Sequence, residues 1–177
     1  MIRLLDNNDF IDLQNLFSQL YDIHYKNRPD TFNNAHPITK EYFQEILTST
    51  CKHCYVYLDQ GKMLGAILIK EYETDDYVTL KKRKIYEIYD IVVNKDFRNK
   101  GIGKKLYNYI TELAQQNGIN TIIVEVFTFN EDAIHFYQSI GMTARKIIYE
   151  NILSPYDIEK GKQNIVTTNK TIKNNKK

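Results

Sequence analysis

Between Asn94 and Ile110 the chain reads NKDFRNKGIGKKLYNYI, which combines closely spaced glycines with cations. Gly101 and Gly103 follow an apolar run ending Val92-Val93 and precede a helical pattern. A glycine turn from strand to helix lets backbone approach a ligand closely. The free N–H groups at a helix start, with the positive end of its dipole, then hold an anion. Arg98, Lys100, Lys104 and Lys105 add positive charge around the same turn. Together these features point to phosphate or pyrophosphate binding. A Walker A loop is excluded, because Gly103-Lys104 is followed by Lys105 rather than Ser or Thr and Arg98 stands where the earlier Gly belongs. The dinucleotide fingerprint is excluded as well, because Leu106 occupies its third glycine.

Hydrophobic periodicity gives the elements around this turn. Met1–Leu5 reads as a short strand. Asp6 to Lys26 reads as a helix, with Phe10, Leu13, Leu16, Phe17, Leu20 and Tyr21 on one face. Arg28-Pro29-Asp30 ends it, and Thr39 to Thr48 forms a second helix. Tyr55–Leu58 and Met63–Lys70 make a hairpin about Asp59-Gln60-Gly61-Lys62, and Ile85–Val93 is the third strand of the run. The helix after the glycine turn presents Ile102, Leu106, Ile110, Leu113 and Ala114 and stops at Asn117-Gly118. Thr121–Phe127 reads as a strand, Asn130 caps a short helix that Gly141 ends, and Met142–Leu153 reads as one or two final strands. The expected fold is one mixed αβ domain over 1–153, with helices on a mixed sheet and a parallel pair made by the βαβ crossover.

Apolar residues make up 42% and charged residues 26%, the balance of a soluble globular domain. No apolar run is long enough for a membrane span and MIRLLDNNDF is no signal peptide, which points to the cytoplasm and away from membranes. The formal net charge of +2 conceals an asymmetry. Six Lys after Pro155 face only Asp157 and Glu159, so residues 1–154 are net acidic. An acidic body argues against nucleic-acid binding, and Lys81-Lys82-Arg83-Lys84 reads as a solvated run. The Lys- and Asn-rich stretch 154–177 reads as a disordered tail. Cys51 and Cys54 have no second ligand pair, and the four histidines show no ligand spacing, so no metal is expected.

Two motifs carry a family resemblance. Arg98-Asn99-Lys100-Gly101-Ile102-Gly103, behind a strand ending in valines, resembles the pyrophosphate-binding motif of the GCN5-related N-acetyltransferases (GNAT superfamily). Thirty residues on, NEDAIHFYQSIGM (Asn130 to Met142) is similar to that family's second motif at every named position. The resemblance implies a central, mostly antiparallel mixed sheet flanked by helices, whose parallel strand pair splays apart around acetyl-CoA. It implies a cofactor site formed by Ile91, Val92, Val93, Arg98, Asn99, Lys100, Gly101, Ile102, Gly103, Lys104, Asn130 and Tyr137, with pantetheine lying along Ile91 to Val93.

The implied reaction is acetyl transfer from acetyl-CoA to an amine by direct attack. Tyr137 stands where the family places the acid that protonates the thiolate, a role open to a phenol that keeps its proton at neutral pH. Glu87 and Glu125 stand at the family's two base positions, acting directly or through water, and Asp90 is a third choice. Strict alternation would put Glu87, Tyr89 and Ile91 on one side and Asp90 on the other. For the acceptor, the resemblance points to the segment between the first two helices. There Tyr21, His24, Tyr25 and Phe32 supply aromatic walls, and Asp22 and Asp30 are carboxylates for a cationic amine. No marker for histone, aminoglycoside, polyamine or ribosomal-protein substrates is present, so the acceptor is a small amine or a protein amino group. The competing reading is a non-catalytic acyl-CoA-binding regulatory domain of the same fold. Monomer and homodimer are both compatible with the sequence.

Overall fold

The computed structural model describes residues 1–153; the expected tail lies outside the described residues. Strands β1 (Ile2–Leu4), β2 (Lys52–Asp59), β3 (Lys62–Glu73), β4 (Lys84–Val93) and β5 (Thr121–Val124) form one sheet in sequential order. The first three pairings are antiparallel, and β4 with β5 is parallel. Helices α1 (Phe10–Asn27) and α2 (Lys40–Thr48) cover one face. Helices α3 (Ile102–Gln116) and α4 (Glu131–Ser139) cover the other.

Local sequence explains each element. The β2–β3 turn has Gln60 and Gly61 both at positive φ, the two-residue hairpin turn whose twist matches its strands. Thr39 caps α2 through the Tyr42 N–H, and Asn130 caps α4 through the Ala133 N–H. β3 is central and buried on both faces, with Ala66 and Leu68 in the α1/α2 core and Ile67 and Ile69 in the α3/α4 core. Gly65 lets α3 lie close to the sheet, since a Cβ there would stand 3.0 Å from Ile102 Cγ2, 3.1 Å from the Val92 carbonyl and 3.2 Å from Leu106 Cδ1.

Three expectations need correction. β5 ends at Val124 rather than Phe127. No strand forms over Met142–Leu153, where the adjacent Ile147 and Ile148 are both exposed, so this sequence defines no single buried face. Polar contacts hold that segment instead, Lys146 to Glu125 at 3.2 Å and Arg28 to Glu150 at 2.7 Å. The third correction concerns β4. Leu68 pairs with Asp90 and Ile69 with Ile88, so Tyr89 is an extra residue without a partner on β3. This bulge reverses the alternation. Glu87 lies opposite Lys70 and Asp90 opposite Leu68, two residues apart on β3, and both carboxylates therefore share the α1/α2 face. Ile91 packs instead with the α3/α4 core.

Candidate active site

The parallel pairing of β4 with β5 runs from Ile85 opposite Thr121 to Ile88 opposite Val124 and stops there. Beyond it, Asp90 to Val93 remain paired to β3 only, while the chain after Val124 leaves the sheet. One backbone edge of β4 is thus open along Ile91, Val92 and Val93. Val92 buries its side chain in the α1/α2 core, so only its backbone faces that opening.

Just past this edge, Arg98 donates from Nε to the Val93 carbonyl at 3.3 Å. Asn99 and Gly101 take positive φ, 60° and 76°, and Gly101 begins α3 without any side-chain cap. The Lys105 N–H is the first to bond back, to the Gly101 carbonyl at 3.0 Å. The N–H groups of Ile102, Gly103 and Lys104 have no intrahelical acceptor and form a seat for an anion. Lys100 and Lys104 are exposed beside it, and Lys100 Nζ lies 4.7 Å from the Phe97 ring centroid. The two glycines have different roles. A Cβ at Gly101 would meet nothing within 4 Å but would be strained by its φ, whereas one at Gly103 would meet the Phe136 ring at 3.3 Å. Gly103 therefore lets α3 pack against α4.

Tyr137 on α4 is 7% exposed, its ring 5.2 Å from that of Phe136. No buried side-chain oxygen among the described residues lacks a hydrogen-bond partner, and no partner engages the Tyr137 hydroxyl, so that hydroxyl opens to solvent. Burial, and then the negative charge at Asp90, raise its pKa above that of an ordinary phenol, which keeps it protonated.

On the α1/α2 side of β4 a cleft of about 280 Å³ is lined by Tyr21, Tyr42, Glu87, Ile88, Tyr89, Asp90 and Glu125. Asp90 is partly buried there. Its removal from water pushes its pKa up to about 7, against the lowering effect of a hydrogen bond from Tyr21. The Tyr21 phenol is itself shifted upward by burial and by Asp90. Glu125 is exposed and paired with Lys146. Lys52 Nζ, bonded to Glu45 at 2.5 Å, lies 5.2 Å from the Tyr42 ring and 6.0 Å from the Tyr89 ring. Beside the cleft, His24 is 5.0 Å from Phe32 and 5.6 Å from Phe129, and Phe32 is 5.3 Å from Phe127.

An open β4 edge, an uncapped glycine turn and a buried tyrosine on the following helix form one continuous arrangement, and the acetyltransferase (GNAT) family profile matches residues 17–142. The chain belongs to the acetyltransferase (GNAT) family. It is 26% identical over 147 residues to an uncharacterized N-acetyltransferase of Methanocaldococcus jannaschii, an alignment covering 83% of this chain and 62% of that protein. The chain thus spans less than two thirds of the length of that relative. Among solved structures, a mutant of the Bacillus halodurans protein BH1408 superposes with a TM-score of 0.83 at 27% identity, over 87% of this chain and 99% of that one. An aminoglycoside N-acetyltransferase solved in complex with CoA shares the fold, with a TM-score of 0.63 at 17% identity over 86% of this chain and 99% of that one.

Within this GNAT fold the sequence-expected residues distribute unevenly. Ile91 to Val93 and Arg98 to Lys104 gather along one path, although the Ile102 side chain is buried and only its N–H is free. Asn130 spends its side-chain oxygen on the cap of α4. Tyr21, His24 and Phe32 come together; Tyr25 makes no ring contact with them. Asp30 is not free to hold an amine, because Arg28 grips both of its oxygens at 2.6 to 3.0 Å. Sequence reasoning missed Tyr42, Tyr89, Phe127 and Phe129. The signal for Tyr89 is present in IYEIYDIVV. Core-facing residues run Tyr86, Ile88, then Ile91, Val93, and the shift from even to odd marks an inserted residue.

Proposed function

We propose that residues 1–153 form an acetyl-CoA-dependent N-acetyltransferase domain that moves an acetyl group to a primary amine by direct attack. The observation that carries this reading is the parallel pair opening past Ile88 and Val124, directly before the uncapped start of α3. The CoA complex of a protein with the same fold supports acyl-CoA as the donor. The N–H groups of Ile102, Gly103 and Lys104, with Arg98, Asn99, Lys100 and Gly101, hold the pyrophosphate. Pantetheine lies along the free edge of Ile91, Val92 and Val93, and a backbone N–H there polarises the thioester carbonyl.

In the transfer the amine nitrogen bonds to the acetyl carbon as the carbon–sulfur bond breaks. The amine yields one proton to a cleft carboxylate, and the CoA sulfur takes one from Tyr137. Among the carboxylates, Asp90 suits the base role better than Glu87 or Glu125, because its burial holds its affinity for a proton near neutral. Glu125 is exposed and tied to Lys146, and Glu87 stands farther along the cleft.

The test is calorimetric titration of acetyl-CoA into wild type and Lys104→Glu. Lys104 is exposed in the first turn of α3, where an acidic residue favours the helix, so the variant folds while its carboxylate opposes the pyrophosphate. The expected loss is roughly tenfold or more in affinity, the effect of about 1.4 kcal/mol. Wild-type affinity in the variant refutes the assignment of the turn. Tight binding with no turnover of any amine refutes the transferase reading and leaves an acyl-CoA-binding domain.

A further inference from the structure

The bulge at Tyr89 places two carboxylates on one wall of the acceptor cleft. Asp90 and Glu87 lie opposite Leu68 and Lys70, and strand rise sets such positions roughly 7 Å apart along the sheet. Neither carboxylate forms an ion pair among the described residues. Two nearby cations are engaged elsewhere, Lys52 with Glu45 and Lys146 with Glu125, and Lys70, directly across from Glu87, forms no ion pair with it. No basic side chain lines the cleft. The rest of the lining is Ile88, Glu125, which Lys146 already pairs, and the rings of Tyr21, Tyr42 and Tyr89, and the faces of Tyr42 and Tyr89 already attract the Lys52 ammonium. The cleft, about 280 Å³ and open to solvent, has room for a slender aliphatic chain.

Resting on the acetyltransferase reading, we infer that the acceptor is an aliphatic diamine, its reacting nitrogen at Asp90 and its second ammonium, a few methylenes away, at Glu87. Each unpaired carboxylate then meets one positive charge, with the tyrosine faces beside the methylene chain. A monoamine leaves Glu87 unpaired, and an amino acid such as lysine brings its own carboxylate towards Glu87, where like charges repel. In the reaction the ammonium at Asp90 first gives one proton to that carboxylate; the free amine then bonds to the acetyl carbon as the carbon–sulfur bond breaks, the released thiolate takes the Tyr137 proton, and the second nitrogen proton, shed as the amide forms, returns to the Tyr137 oxygen. The product is a monoacetylated diamine whose remaining ammonium is still held by Glu87. A second acetylation requires that ammonium at Asp90 with an uncharged amide at Glu87, so the enzyme stops at one.

The test measures initial rates on the full chain with acetyl-CoA and putrescine, butylamine or lysine as acceptor, in wild type and Glu87→Gln, with calorimetric binding of acetyl-CoA alongside. The expected result is a kcat/KM for putrescine roughly tenfold or more above butylamine and lysine, with monoacetylputrescine as the product, a preference equal to one charge contact of about 1.4 kcal/mol. Glu87→Gln should close that gap by raising KM for putrescine, so that kcat/KM falls far more for putrescine than for butylamine. Butylamine or lysine matching putrescine in the wild type, or Glu87→Gln lowering every acceptor equally, overturns the diamine assignment. Acetyl-CoA failing to bind overturns the transferase reading itself. Binding with no turnover of any of the three amines overturns the diamine assignment as well.

Discussion

Replacing Asp90 by Asn tests the cleft through folding stability and catalysis together. The side chains have the same shape, and the Asn oxygen still accepts from Tyr21, so the substitution removes a charge and little else. Burial raises the folded-state pKa of Asp90 from 3.8 to about 7. The native state therefore holds this proton more tightly than the unfolded chain, and stability contributed by the group falls as pH rises from about 4 to about 7. Above that window the ionised carboxylate costs about 4 kcal/mol, at about 1.4 kcal/mol per unit of pKa. Part of the cost is already present at about pH 5, so the advantage of Asp90→Asn should grow by about 3 kcal/mol between pH 5 and pH 8. For a domain of this size that is a rise of about 8 °C in the gap between the two melting temperatures. Thermal melts of both proteins at the two pH values measure it. A gap that does not change with pH refutes the claim that Asp90 is held out of water. In the same variant kcat should fall by about a hundredfold or more, and the acid limb of kcat/KM near pH 7 should vanish. A stabilised variant at full rate would leave the cleft geometry intact and remove Asp90 from the base role.

Tyr137→Phe should lower kcat by roughly a hundredfold while acetyl-CoA affinity, read by calorimetry, stays within about twofold, because only the proton to the thiolate is lost. Gly65→Ala should destabilise the fold by about 1 to 3 kcal/mol in urea or thermal melts, since its Cβ meets the Val92 carbonyl and two core side chains of α3 at 3.0 to 3.2 Å; a neutral outcome would mean that α3 can shift outward freely.

Much of the scaffold is legible in the sequence because local chemistry and global packing agree there. Thr39 and Asn130 cap the helices they precede, Gln60-Gly61 turns the hairpin, and the apolar stripe of Ile102, Leu106, Ile110 and Ala114 is the buried face of α3. Legibility fails where a residue's surroundings depend on distant chain. Gly103 stands in a phosphate motif, yet its missing Cβ makes room for Phe136, thirty-three positions on. Gly65, in the middle of a strand pattern, gives no local hint that a helix crosses so close. Met142–Leu153 carries β-branched and aromatic residues without a repeating face, and composition alone is insufficient to build a strand there.

The site itself was partly hidden by a single inserted residue. Alternation along β4 separates Glu87 from Asp90, and on that reading the two cannot serve one substrate. The bulge at Tyr89 reunites them on the cleft wall and at the same time turns Ile91 and Val93 towards the α3/α4 core, beside the open backbone edge. One backbone irregularity thus supports both halves of the proposed reaction. It aims the acidic side chains at the acceptor cleft, and it lies where β4 separates from β5 to make room for a thioester arm. Deleting Tyr89 should therefore do more than shorten a strand. Restored alternation would rotate either the carboxylates or the Ile91 to Val93 edge out of place, and acceptor selectivity and acetyl-CoA binding could not both survive.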